Sequence, residues 1–87
     1  MIRLNDSVLL SRVDDEAVLL DADSSVYYGL NAAGSRMFEL LAECGDRESA
    51  IHLAADEYDA PEESVRNDLN ALLDTMIEKG LVKEDAV

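Results

Sequence analysis

From Val8 to Leu30 the chain alternates short apolar runs with polar pairs: Val8–Val13, Asp14-Asp15, Ala17–Leu20, Asp21–Ser24, Ser25–Leu30. Runs of this length between turn-forming residues predict three strands joined by tight acidic turns, an antiparallel meander. Val8, Val13, Val18, Val26, Tyr27 and Tyr28 lie inside the runs, where a pleated surface favours β-branched and aromatic side chains. After Leu30 the apolar period changes to three and four. Asn31 is suited to cap a first helix whose inner face carries Met37, Leu40, Leu41 and Cys44, and Gly45 stops it. Asp46 can cap a second helix over about Arg47–Tyr58, with Ala50, Ile51, Ala54 and Tyr58 inward. Pro61 at the first helical position, followed by Glu62 and Glu63, opens a third. Its stripe of Val65, Leu69, Leu72, Leu73, Met76 and Ile77 ends at Lys79 and Gly80, and Leu81-Val82 reads as a short extended stub.

The order is β-β-β-α-α-α, which predicts one α+β domain over residues 1–87, with segregated helices covering one face of an antiparallel sheet. A chain of 87 residues has little room for a deep cavity. Twenty Asp and Glu against seven Lys and Arg give a net charge of -13, a field that repels phosphate backbones and anionic lipid. Neither nucleic acid nor membrane is an expected partner; a cationic or amphipathic peptide is. The single Cys44 allows no intrachain disulfide and suits a reducing compartment. With no signal-peptide pattern and no long apolar run, a cytoplasmic location is expected.

Catalytic apparatus is missing from the pattern. His52 and Cys44 are single residues without the partners that a metal site or a nucleophile needs. Asp21-Ala22-Asp23-Ser24-Ser25 imitates the start of a calcium loop, but Val26 stands at the glycine position and Ala32 at the final carboxylate position, so a surface turn is expected. Gly29, Gly34, Gly45 and Gly80 are too far apart to cradle a phosphate. The expectation is a protein that is not an enzyme and uses no cofactor and no metal.

Backbone chemistry remains. The outer strands of a meander carry unpaired N–H and C=O groups that another extended chain can complete, and the pattern leaves open whether the first or third strand is the free edge. Ser25–Leu30 carries no Lys, Pro or charge to discourage strand addition. Alternation puts Val26, Tyr28 and Leu30 on one face and Ser25, Tyr27 and Gly29 on the other. The third helix can supply a second wall, because its six-residue stripe is wider than a narrow sheet needs; about four of the six belong to the core. A peptide between that strand and that helix gains affinity from main-chain hydrogen bonds and specificity from alternate side-chain pockets.

Across nearly its whole length the chain resembles the PqqD family. The resemblance is carried by Val26-Tyr27-Tyr28-Gly29-Leu30-Asn31-Ala32-Ala33-Gly34, by the acid-capped second helix, by Asp59-Ala60-Pro61-Glu62-Glu63, and by Asp68-Leu69 through Glu78-Lys79-Gly80-Leu81-Val82. It implies a winged-helix-like fold, a three-stranded antiparallel sheet followed by three helices, and a role as a recognition element for ribosomally made, post-translationally modified peptides. In such proteins the precursor's leader adds as an antiparallel strand to the third strand, against the third helix. Carried onto this sequence, the peptide-binding residues are Ser25, Val26, Tyr27, Tyr28, Gly29 and Leu30 with Val65, Arg66, Leu69, Leu72 and Leu73. The implied partners are a precursor leader peptide and the leader peptidase of the same pathway; the oligomeric state is not implied. Where the quinone-cofactor members carry Pro-Glu-Gly, this chain has Asn31-Ala32-Ala33-Gly34, which favours lasso-peptide or another peptide pathway over pyrroloquinoline-quinone synthesis. A winged-helix transcriptional regulator is the competing class, opposed by Glu62, Glu63, Asp68, Asp74 and Glu78 on the helix that would enter a groove.

Overall fold

The computed structural model describes residues 1–85. In chain order the elements are β1 (Ile2–Leu4), β2 (Val8–Val13), β3 (Glu16–Asp21), β4 (Tyr27–Leu30), α1 (Ala32–Cys44), α2 (Arg47–Tyr58), α3 (Glu62–Glu78) and β5 (Val82–Glu84). The expected meander is present as an antiparallel sheet in the order β2-β3-β4. Val13 pairs with Glu16 across Asp14-Asp15, and Asp14 takes the positive φ of 57° that a two-residue hairpin demands.

The second turn is built around Asp21. Its carboxylate accepts hydrogen bonds from Ser7 Oγ at 2.7 Å, Ser24 Oγ at 2.9 Å and the Asp23 amide at 3.1 Å, led by Ser7 in holding the carboxyl below its usual range. The calcium-loop imitation is therefore a self-satisfied surface turn. Ser25 belongs to this turn rather than to the strand: its φ is 61°, and its amide donates to the Asp21 carbonyl at 2.8 Å.

A second, two-stranded ribbon was not anticipated in full. The stub after α3 is β5, and it pairs antiparallel with β1, Ile2 opposite Glu84 and Leu4 opposite Val82. Ile2 and Val82 enter the core from this ribbon.

The helix ends follow the caps. Asn31 Oδ1 accepts from the Gly34 amide at 2.8 Å, and Asp46 accepts from the Ser49 amide at 2.9 Å. Pro61 lies outside α3 in an extended conformation, so the helix begins one residue later than the proline rule suggests. Its far end closes with Leu81 N–H on the Met76 carbonyl and Gly80 N–H on the Ile77 carbonyl; Gly80 has φ 76°, which a side chain would strain.

One apolar cluster joins all three helices, the inner face of the sheet and the β1–β5 ribbon. From the α3 stripe, Val65, Leu69, Leu73 and Met76 are buried, Leu72 is half-buried and Ile77 is exposed. On α2 the expected inner residue Tyr58 is exposed, and Ala55 takes the inward place. The outer sheet face is uncovered: Leu9, Leu20 and Tyr27 form one cross-strand row, with Val13 and Val18 beside it.

Arg47 ties three elements together. Its guanidinium donates to Glu84 on β5 at 2.7 and 2.9 Å, to Asp74 on α3 at 2.8 Å and to Asn70 on α3 at 3.0 Å. Hydrogen bonding from Arg47 holds the Glu84 carboxyl below its ordinary range. Arg47→Ala is expected to cost about 1–2 kcal/mol at neutral pH, the scale for a charge-assisted, partly solvated cluster. The folded-state value of Glu84 lies below the unfolded one, so its contribution is complete above the unfolded value and vanishes as pH falls through the folded value. Urea unfolding of both proteins at pH 7 and pH 3 checks this; the gap between them shrinks in acid.

Candidate functional site

Among the described residues, β4 pairs with β3 on one side only. The Asp21 amide donates to the Val26 carbonyl at 2.8 Å, so that carbonyl points at the neighbouring strand. In an antiparallel ladder this orientation alternates residue by residue. Tyr28 and Leu30, opposite Leu19 and Ala17, therefore also face β3. Tyr27 and Gly29 turn their N–H and C=O outward, where no strand among the described residues meets them. Two residues thus offer two donors and two acceptors at the spacing an antiparallel guest strand requires. A Cβ built on Gly29 would meet nothing within 4 Å, so the outer face at this position is uncrowded.

The side chains follow the expected alternation. Leu30 is buried, Tyr28 and Val26 are half-buried, and Tyr27 is 72% exposed on the outer face. Beside the inner face lies a cleft of about 230 Å³ lined by Asn31, Ala33, Gly34, Met37, Asp68 and Leu72. Gly34 keeps it tight: a Cβ there would stand 3.3 Å from Asn31 Oδ1 and 3.7 Å from Leu30. Past Leu72 the Lys79 ammonium sits 5.9 Å from the centre of the Tyr28 ring, a cation–π arrangement.

Several sequence-expected site residues lie elsewhere. Ser25 is in the turn with its amide already used. Val65, Leu69 and Leu73 are core residues with almost no accessible surface, because α3 turns them toward the other helices and the sheet. Arg66 spends its guanidinium on Glu48 of α2 and Glu62 of its own helix, and it does not line the cleft. Of the expected helix wall only Leu72 does. Met37 and Asp68 line the cleft and Lys79 stands over the Tyr28 ring, although by pattern they belong to a core face, an acidic surface and a helix end. The detectable signal was the spacing of Asp68, Leu72 and Lys79, which at 100° per residue share a face beside the buried stripe.

Other sites offer less. No group of three His, Cys, Asp or Glu among the described residues could hold a metal ion. His52 is exposed, 3.7 Å from Glu62. Among the described residues, no helix is long and apolar enough to cross a membrane.

Two solved structures cover almost the whole chain. TbiB1 in complex with the TbiA(beta) leader peptide is 35% identical, with 98% of this chain and 99% of that chain aligned at a TM-score of 0.83. A lasso peptide synthetase B1 complexed with the leader peptide shares the fold at 23% identity and a TM-score of 0.85, over 94% and 96% of the two chains. No match is found among curated proteins. The model of the family described as coenzyme PQQ synthesis protein D (PqqD) matches residues 16–82, from β3 through the first residue of β5, and the chain belongs to that family.

Proposed function

We propose that this protein recognises the leader segment of a ribosomally synthesised precursor by strand addition to β4, and presents it to the leader peptidase and cyclase of a lasso-peptide type pathway. The observation that carries this reading is the outward pair Tyr27 and Gly29, unpaired beside the cleft of Met37 and Leu72. A leader lying antiparallel to β4 bonds to both residues and places alternate side chains over the cleft. The peptide-contacting set is Val26 to Leu30 with Leu72, Met37, Asp68 and Lys79. The domain holds its guest and leaves bond making and breaking to its partners. The 35% identical relative, solved with a leader peptide bound, supports this role, and the acidic α3 disfavours a DNA-reading one.

Calorimetric titration with a synthetic leader peptide of the cognate precursor tests the reading. Saturable binding at micromolar or lower Kd is expected, with slowed amide exchange at Tyr27 and Gly29. Absence of saturable binding, or binding that leaves both amides unprotected, refutes strand addition at β4.

A further inference from the structure

Cations are scarce in this chain, and all five arginines are committed. Arg3 pairs with Asp85, Arg12 with Glu39, Arg36 with Glu57, Arg47 with Asp74 and Glu84, and Arg66 with Glu48. Lys79 makes no ion pair among the described residues, although 20 acids surround it in the sequence. Lys83 is the other lysine, and it lies on β5 opposite Arg3, in the ribbon rather than the groove. The groove therefore holds one unspent positive charge, stationed over the ring of Tyr28 on the edge strand.

The register of an added strand says what would meet that charge. A guest antiparallel to β4 that bonds to Tyr27 and Gly29 places one residue directly opposite Tyr28, in a non-hydrogen-bonded pair with Cα atoms about 4.5 Å apart. That side chain points to the same face as Tyr28, toward Lys79. The guest residue opposite Leu30 comes two positions earlier and lies over the apolar part of the cleft, Met37 and Leu72. An acid at that earlier position would instead meet Asp68. Elsewhere on a surface of net charge -13 an acidic guest is repelled, so one carboxylate is favoured at one place only.

We propose that Lys79 is the specificity-determining residue of the groove. It reads an Asp or Glu on the bound leader opposite Tyr28, two residues after an apolar anchor seated over Met37 and Leu72. This rests on the leader-binding reading above and adds to it a charge code and a register.

Selection of a random 16-residue peptide library displayed on its own mRNA, run in parallel on the wild-type protein and on Lys79→Glu, tests both levels separately. Lys79 is exposed, so the variant folds, as a matching thermal melt verifies. Wild-type winners are expected to carry an apolar residue followed two positions later by Asp or Glu. Replacing that acid by Lys in a synthesised winner weakens binding about tenfold, the scale for exchanging a partly solvated attraction for a repulsion. Lys79→Glu winners carry Lys or Arg there. Enrichment of the same residue by both proteins would overturn the role of Lys79 while leaving strand addition intact. Failure of both proteins to enrich any peptide would overturn the leader-binding reading itself.

Discussion

Gly29→Pro is expected to weaken leader binding at least about 30-fold while the domain stays folded. The Gly29 amide points away from β3, so proline removes no hydrogen bond from the sheet, and edge strands accept proline at such positions. The preceding residue, Tyr28, is already in a strand, as proline prefers of its neighbour. What proline removes is one of the two donors offered to the guest, and its ring occupies the space through which the guest approaches. A guest carbonyl stranded in this way costs about 2 kcal/mol, which is the stated loss in affinity. Gly29→Ala is the control: its Cβ meets no atom within 4 Å, so binding and stability both stay near wild type. Calorimetry alongside a circular-dichroism melt measures the two quantities independently. Wild-type affinity in a folded Gly29→Pro protein would show that the guest does not use this edge.

Two leucines three positions apart on α3 are expected to behave in opposite ways. Leu69 is fully buried, and Leu69→Asp removes its packing and buries a carboxyl without partners, a combined cost above about 4 kcal/mol. That is most of the stability of a domain this small, so the variant should be unfolded or nearly so at 25 °C. Leu72 is half-buried at the cleft, and Leu72→Asp keeps most of the fold. It loses the apolar floor and adds a second acid beside Asp68, so leader affinity should fall about tenfold, the effect of roughly 1.4 kcal/mol. Urea titration ranks the stabilities, and calorimetry on the folded variant gives the affinity. A cooperatively folded Leu69→Asp protein would contradict the packing of α3 described above.

The same pair shows what pattern reading resolves. Periodicity located α3 because six large apolar side chains recur at helical spacing, and the caps Asn31, Asp46 and Gly80 located the helix ends, since each acts within a few residues of itself. Periodicity cannot separate Leu69 from Leu72. Both fall within one broad stripe, and only the placement of α1 and β4 decides which of them meets the core. Arg66 escaped for a similar reason, because its partner Glu48 lies on another helix. β1 was illegible on its own: three residues carry no measurable period, and its partner β5 is at the other end of the chain. Ser25 looked like strand because it adjoins Val26 and Tyr27, and nothing local announces that the Asp21 turn would claim its amide.

The uncovered row of Leu9, Leu20 and Tyr27 sets a colloidal limit on the protein. At neutral pH mutual repulsion between strongly anionic copies keeps these greasy faces apart in crowded solution. Near the isoelectric point of about 4.1 that repulsion disappears, and the bare face becomes a site of self-adhesion. The dense acidic coat is thus what lets a small domain keep one side of its sheet undressed.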